Sequence, residues 1–234
     1  MRHFFTLDGK SSVDFNTWIA NGNMWDGAEH DDEAVEVPGR NGAIIFNNGR
    51  YRNFSAVLSC YIPSDMQRNV DGLRSFLSSR HGYCKYEDNL HPMEYRMVRY
   101  KGGFSLSAAD RVGASVDLTF DCKPQRFLKS GDITVTYTGN GTIFNHTDYA
   151  ARPLIRCVGT GGTVALGGVA VTVTGCTSSV TIDCDLMEAY EGTVSRNGTT
   201  TLNNGAFPTI KPGEWTVTFT GFTRVDITPR WWTI

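Results

Sequence analysis

Two stretches of this chain alternate apolar and polar side chains with a period of two, and this spacing limits what the chain can fold into. In the first, Phe54, Ala56, Leu58, Cys60 and Ile62 alternate with Ser55, Val57, Ser59 and Tyr61. In the second, Ala114, Val116, Leu118, Phe120 and Cys122 alternate with Ser115, Asp117, Thr119 and Asp121. A period of two puts one set of side chains on each face of a strand, so both segments predict half-buried strands of a sheet with one face on a core. Pro124 is expected to end the second strand, because proline cannot donate to a ladder.

One helix is expected between them. Met66, Val70, Leu73 and Leu77 recur at helical spacing with Phe76 beside them. Ser64 reads as the N-cap, Gln67 as its capping-box partner, and Gly82 as the stop after His81. Gly72 in its interior costs about 1 kcal/mol relative to alanine. Residues 4–7 and 13–15 around Asp8-Gly9 suggest a hairpin, and further strands are expected at 83–87 and 94–101.

Beyond residue 130 the pattern changes. Short strands are expected at 133–138, 154–158, 163–166, 169–174, 180–184, 215–220 and 224–228. Gly-rich and Asn-Gly turns separate them. Charge shifts at the same place: residues 1–130 carry 16 basic and 16 acidic side chains, whereas 131–234 carry 6 and 8. The chain is therefore expected to form two domains, a first at 1–130 and a β-sandwich at 131–234.

The net charge of −2 gives no cationic field for phosphate binding, so specific nucleic-acid recognition is not expected. No apolar run approaches the length of a membrane-spanning helix, and the first residues lack a signal-peptide pattern. The chain is thus expected to fold in a cytoplasm, with its six cysteines as buried thiols. The sequons at Asn53, Asn140, Asn145 and Asn197 are then chance products of an Asn/Thr/Gly-rich sequence.

The chain carries few residues in patterns that do chemistry. None of the five histidines sits in a metal-binding spacing, and no nucleophile elbow, P-loop or dinucleotide fingerprint is present. No catalytic residue, cofactor or metal is expected. His30-Asp31-Asp32-Glu33 is the richest ligand cluster, and a solvated acidic loop is the plainer account of it. That loop, with Asp26, Glu29, Asp31, Asp32, Glu33 and Glu36, is the candidate interface or lumen-facing segment, and Trp18 and Trp25 flank it. Asp183 and Asp185 share one strand face and carry the alternative of a polysaccharide hydrolase, against the plainer account of an edge strand's polar face. Trp231-Trp232 carries the alternative of a carbohydrate-binding β-sandwich. Neighbours in a strand face opposite ways, so one core and one surface tryptophan is the plainer account.

An ordered series of motifs adds a resemblance. It begins with Val35-Glu36-Val37-Pro38-Gly39-Arg40-Asn41-Gly42 and Tyr51-Arg52-Asn53. It continues through Gly82-Tyr83, Tyr86-Glu87-Asp88, Pro92, Tyr95-Arg96 and Phe120-Asp121-Cys122-Lys123-Pro124. It ends with Ala151-Arg152-Pro153-Leu154-Ile155, Val180-Thr181-Ile182-Asp183, Phe207-Pro208, Lys211-Pro212-Gly213-Glu214-Trp215 and Pro229-Arg230-Trp231. The series spans nearly the whole chain and resembles the distal tail proteins of siphophages. The resemblance implies a mainly-β fold: an N-terminal tail-tube-like domain with one α-helix, then a galectin-like β-sandwich. It implies a homohexameric ring that is assembled in the host bacterial cytoplasm and sits at the virion tail tip. That ring joins the tail tube protein to a tail-associated fibre or lysin protein, with the tape measure and receptor-binding proteins as further partners. DNA would pass through the ring, and neither membrane insertion nor catalysis is implied.

Overall fold

The computed structural model describes all residues except Met1, Asn23, Trp25, Asp110, Arg111 and Val112. The chain divides into two compact units, Met1–Arg126 with Ile234, and Phe127–Thr233.

The first unit contains β1 (Phe5–Leu7), β2 (Lys10–Ser11), β3 (Trp18–Gly22), β4 (His30–Glu36), β5 (Ala43–Tyr51), β6 (Phe54–Ile62), α1 (Met66–Ser78), β7 (Cys84–Asp88), β8 (Glu94–Tyr100), β9 (Ser105–Ala109) and most of β10 (Ala114–Leu128). Its main sheet runs β2-β1-β7-β8-β10-β6-β3, and β9 also pairs with β10. The two alternating segments lie side by side in antiparallel register, with Leu118 opposite Leu58 and Phe120 opposite Ala56. Their apolar sets face one core, where Leu58, Val116, Leu118 and Phe120 are essentially inaccessible. Phe5, Tyr86 and Phe120 pack there as an aromatic cluster with centroids 5.8–6.5 Å apart.

Helix α1 buries Val70, Leu73, Phe76 and Leu77 against this sheet, as its spacing predicts. Its ends differ from expectation. The N-cap is Asp65 in a left-handed conformation, and no side chain caps the first turn. Ser64 instead receives the amide of Asn16, and Gln67 turns to Asp71 one turn along. Competing partners in the tertiary fold thus dismantle the capping box. The helix stops at Ser78, before Gly82, and the Ser79 hydroxyl bonds the Phe76 carbonyl. Gly72 marks a close approach: a Cβ there would lie 3.1 Å from the Phe15 ring, which stacks on Phe76 at 5.3 Å. Phe15 belongs to a 3-10 turn, Ser12–Phe15, where a strand was expected.

Strand β10 passes through Pro124 without a break. Cys122 is the last residue paired with β6, so the proline lies beyond that ladder and removes no bond from it.

The second unit holds β11 (Val135–Tyr137), β12 (Gly141–Asn145), β13 (Leu154–Val158), β14 (Gly162–Leu166), β15 (Val169–Val173), β16 (Ser179–Asp183), β17 (Glu188–Glu191), β18 (Val194–Ser195), β19 (Thr200–Leu202), β20 (Gly213–Thr220), β21 (Arg224–Thr228) and β22 (Trp232–Thr233). All but β22 form two antiparallel sheets, β11-β21-β13-β16-β17-β18 and β12-β20-β14-β15-β19. The inward residues of one sheet (Ile155, Cys157, Val180, Ile182, Val225, Ile227) share a core with those of the other (Val164, Leu166, Val171, Val173, Val217). Leu128 N–H donates to the Trp231 carbonyl at 2.8 Å, and Arg230 N–H to the Gly131 carbonyl at 2.8 Å, so the last strand closes on the first residues of the unit.

Candidate assembly surface

The feature without a core of its own is the β4–β5 ribbon. These strands form a separate two-stranded sheet, with Glu33 opposite Phe46, Ala34 opposite Ile45 and Val35 opposite Ile44. Residues directly opposite share a face, so Val35, Ile44 and Phe46 line one side with Glu33. The other side carries Asp32, Asn47, Ala34, Ile45, Glu36 and Ala43. Ile45 is 58% exposed, Phe46 55% and Val37 40%. A lone two-stranded ribbon is marginal in water, and it leaves rows of unpaired N–H and C=O groups on both edges. Exposed Phe46 and Ile45 make this ribbon the candidate surface for a partner.

The ribbon is fastened at its base. Asp31 is buried and accepts from the guanidinium Nε of both Arg50 and Arg52, the latter at 2.7 Å. Those hydrogen bonds, Arg50 first and then Arg52, hold its carboxyl below the ordinary aspartate value of 3.8 against the opposing effect of burial. The register shifts between His30 and Asp32, which lets Asp31 turn toward the arginines. His30 packs on Tyr51 with ring centroids 4.4 Å apart.

The expected solvated loop is therefore largely a strand. Asp31, Asp32, Glu33 and Glu36 lie on β4, while Asp26 and Glu29 precede it in irregular chain. All but Asp31 are exposed. Acidic side chains fall on both faces because both faces meet solvent, so no alternation marks the strand. The ladder to the apolar segment 44–46 makes it one. Trp18 lies on β3, where its Nε1 donates to Asn16 at 3.1 Å and the Arg2 guanidinium sits 5.0 Å above its ring. Trp25 falls outside the described residues.

The other sequence candidates are not brought together. Asp183 is 4% exposed, and Arg230 donates to both its oxygens at 2.7 and 2.9 Å. It also accepts the N–H groups of Asp185 and Leu186. Strand β16 lies inside its sheet between β13 and β17, so Asp183 is neither an edge-strand residue nor half of a carboxylate pair. Asp185 lies past the strand end and meets Arg152 at 3.7 Å. Burial pushes the Asp183 carboxyl up, but the hydrogen bonds and charge of Arg230 outweigh it and leave it below the ordinary range. A saturated carboxylate with a lowered pKa is a poor proton carrier near neutrality.

Trp231 is buried in the second core, edge-on to His146. Trp232 is half-buried; its ring stacks on Tyr149 at 4.5 Å and its Nε1 donates to the Ala150 carbonyl at 3.0 Å. Trp231 offers no open stacking platform, and Tyr149 takes one face of the Trp232 ring.

The six cysteines are buried free thiols. Among the described residues, no cluster of three His, Cys, Asp or Glu side chains is arranged to hold a metal ion. Asp88, the most enclosed carboxylate beside a histidine, braces a turn: it accepts the backbone N–H groups of Leu90 and His91 and faces His91 Nδ1 at 2.8 Å. Among the described residues no helix is long and apolar enough to cross a membrane.

No family model and no curated protein matches the chain. Solved structures do. The chain superposes on the crystal structure of the phage SPP1 Dit (gp 19.1) protein, described as a paradigm of the hub adsorption apparatus in phages infecting Gram-positive bacteria. The TM-score is 0.77 at 16% identity, over 99% of both chains. It also superposes on a chain of the phage P2 baseplate in its activated conformation with Ca, with a TM-score of 0.59 at 9% identity, over 97% of this chain and 96% of that one. The mainly-β fold with one helix is thus the fold of the SPP1 Dit protein over 99% of both chains.

Proposed function

We propose that this chain is a structural hub protein of a siphophage tail tip that assembles as a homohexameric ring. In this role it joins the tail tube to the tip fibre or lysin protein and carries receptor-binding proteins. The observation that carries the reading is the end-to-end correspondence with the SPP1 Dit fold, both units included, at 99% coverage of each chain. The β4–β5 ribbon supports it physically, because a ring subunit needs a strand pair or loop that its neighbour completes. The ring-forming role falls to the first unit, which owns the ribbon, and the second unit is the appended sandwich. The acidic residues Asp26, Glu29, Asp32, Glu33 and Glu36 are assigned to the subunit interface or the lumen. There, negative charge would keep passing DNA from sticking.

The reading is structural rather than enzymatic. Asp183 is saturated by Arg230, which removes the residue on which the hydrolase alternative rests.

Light scattering on the purified chain, alone and co-expressed with the tail tube protein, tests the proposal. A particle of about six times 25.8 kDa, seen as a ring in micrographs, is expected. A monomer under both conditions overturns it.

A further inference from the structure

Six asparagine–glycine pairs occur in this chain, beginning at Asn21, Asn41, Asn48, Asn140, Asn197 and Asn204. Such a pair carries its own chemistry. Attack of the glycine backbone nitrogen on the asparagine Cγ closes a five-membered ring. Glycine permits the attack because it has no Cβ, so the nitrogen is unhindered and the chain reaches the dihedrals required. The reaction needs a free side-chain amide, a free glycine N–H and a backbone able to bend. Pairs that are identical in sequence therefore differ in what the fold does with them.

In all but one of them, the fold holds a reacting group. Asn140 Oδ1 accepts the Phe219 N–H at 3.1 Å, Asn197 Oδ1 the Ala189 N–H at 2.7 Å and Asn204 Oδ1 the Ala206 N–H at 3.2 Å. Gly49 N–H, the nucleophile beside Asn48, donates to Asn47 Oδ1 at 2.6 Å. Asn21 lies in β3 opposite Ser59, and its own Oδ1 takes the Gly22 N–H at 2.8 Å, which turns oxygen rather than Cγ toward that nitrogen. Asn41-Gly42 is the exception. It lies in residues 37–42, which join β4 to β5, just past a turn closed by the Arg40 N–H on the Val37 carbonyl at 3.1 Å. Both residues are exposed, and among the described residues neither the Asn41 amide nor the Gly42 N–H has a hydrogen-bond partner. Gly42 has φ of +79° and open space around it, since a Cβ there would meet nothing within 4 Å.

We propose that Asn41-Gly42 is a self-modification site, at which the end of the ribbon deamidates. The Gly42 nitrogen bonds to Asn41 Cγ and gives up its proton, the Cγ–Nδ2 bond breaks, and ammonia leaves. Water then opens the resulting succinimide at either carbonyl. One opening gives aspartate at position 41. The other gives isoaspartate, which routes the main chain through the side-chain carbon and lengthens it by one atom. Water is the one co-reactant, and nothing is oxidised or reduced. Either product adds a negative charge to the ribbon that carries Glu33 and Glu36 and takes the formal net charge from −2 to −3. The reaction does not depend on ring formation. Its consequence rests on the assembly reading: the new carboxylate and the lengthened backbone fall on the surface assigned to the neighbouring subunit, so an unassembled chain ages at its ribbon.

The test is timed incubation of the purified full-length chain at mildly alkaline pH, followed by peptide mapping in a mass spectrometer. The measurement is made on the chain alone, so a failure to form rings does not affect it. Asn41 should convert first, about fivefold or more faster than any other pair, since one hydrogen bond on a reacting group slows the others by roughly that factor. An isoaspartate methyltransferase should label the aged chain at position 41. In denaturant the pairs should converge on similar rates. Asn41→Gln cannot close the five-membered ring and should remove the early product with an unchanged melting profile. An intact Asn41, another pair converting as fast in the folded chain, or Asn41 keeping its lead in denaturant overturns the proposal.

Discussion

Arg230 grips both oxygens of Asp183, at 2.7 and 2.9 Å, from a backbone position with φ of +60°. The bond ties the segment before the last strand to the interior strand β16. The Asp183 carboxylate has almost no solvent contact, so its removal leaves the Arg230 guanidinium and the N–H groups of Asp185 and Leu186 without their acceptor.

Asp183→Ala should therefore destabilise the second unit by about 3 kcal/mol, as does breaking one half of a buried pair. Because the folded-state pKa is depressed, the contribution is complete above the ordinary aspartate range. It is lost as pH falls through the lowered folded value. Melting curves of parent and variant should differ at neutral pH and converge only in strong acid. A gap independent of pH would refute this account.

Phe46→Ser and Ile45→Ser remove apolar area that meets solvent in the single chain. Monomer stability should change by no more than about 0.5 kcal/mol. Self-association measured by sedimentation should weaken by tenfold or more, since buried aromatic contacts dominate interfaces. Unchanged assembly would remove the ribbon from the interface.

The thiols of Cys60 and Cys184 are pushed up to about 12 and that of Cys122 to about 11, in each case chiefly by burial. None forms thiolate near neutrality. A thiol-reactive dye at pH 8 should label the native chain slowly and all six cysteines rapidly after denaturation. Rapid labelling of the folded chain would contradict the burial described.

Gly131 sits where a Cβ would lie 2.2 Å from the Trp231 backbone nitrogen. The neighbour is backbone and cannot swing aside. Gly131→Ala should cost about 1–3 kcal/mol, as overpacking does, and denaturant unfolding would measure it. Gly72→Ala is the control: the facing atom belongs to the half-buried Phe15 ring, so the loss should be smaller.

The sequence determined those parts of this protein that a local period reveals. Phe54–Ile62 and the first half of β10 alternate because one face of each meets a core, and α1 shows its buried stripe at helical spacing. Strands Leu154–Val158 and Arg224–Thr228 were equally legible, because turns bracket them. The tertiary structure decided what depends on partners distant in the chain. Asp31 looks like one acid among several until Arg50 and Arg52 close on it. Strand β4 has no alternation to detect, since both its faces meet solvent. Asp183 and Asp185, two apart in sequence, are separated by the end of β16 and by Arg230. The Asn-Gly pairs look alike in sequence, and only contacts made in the fold leave Asn41 free while they hold the others. Local physics fixes which way a side chain points, whereas the pairing of strands fixes what it meets.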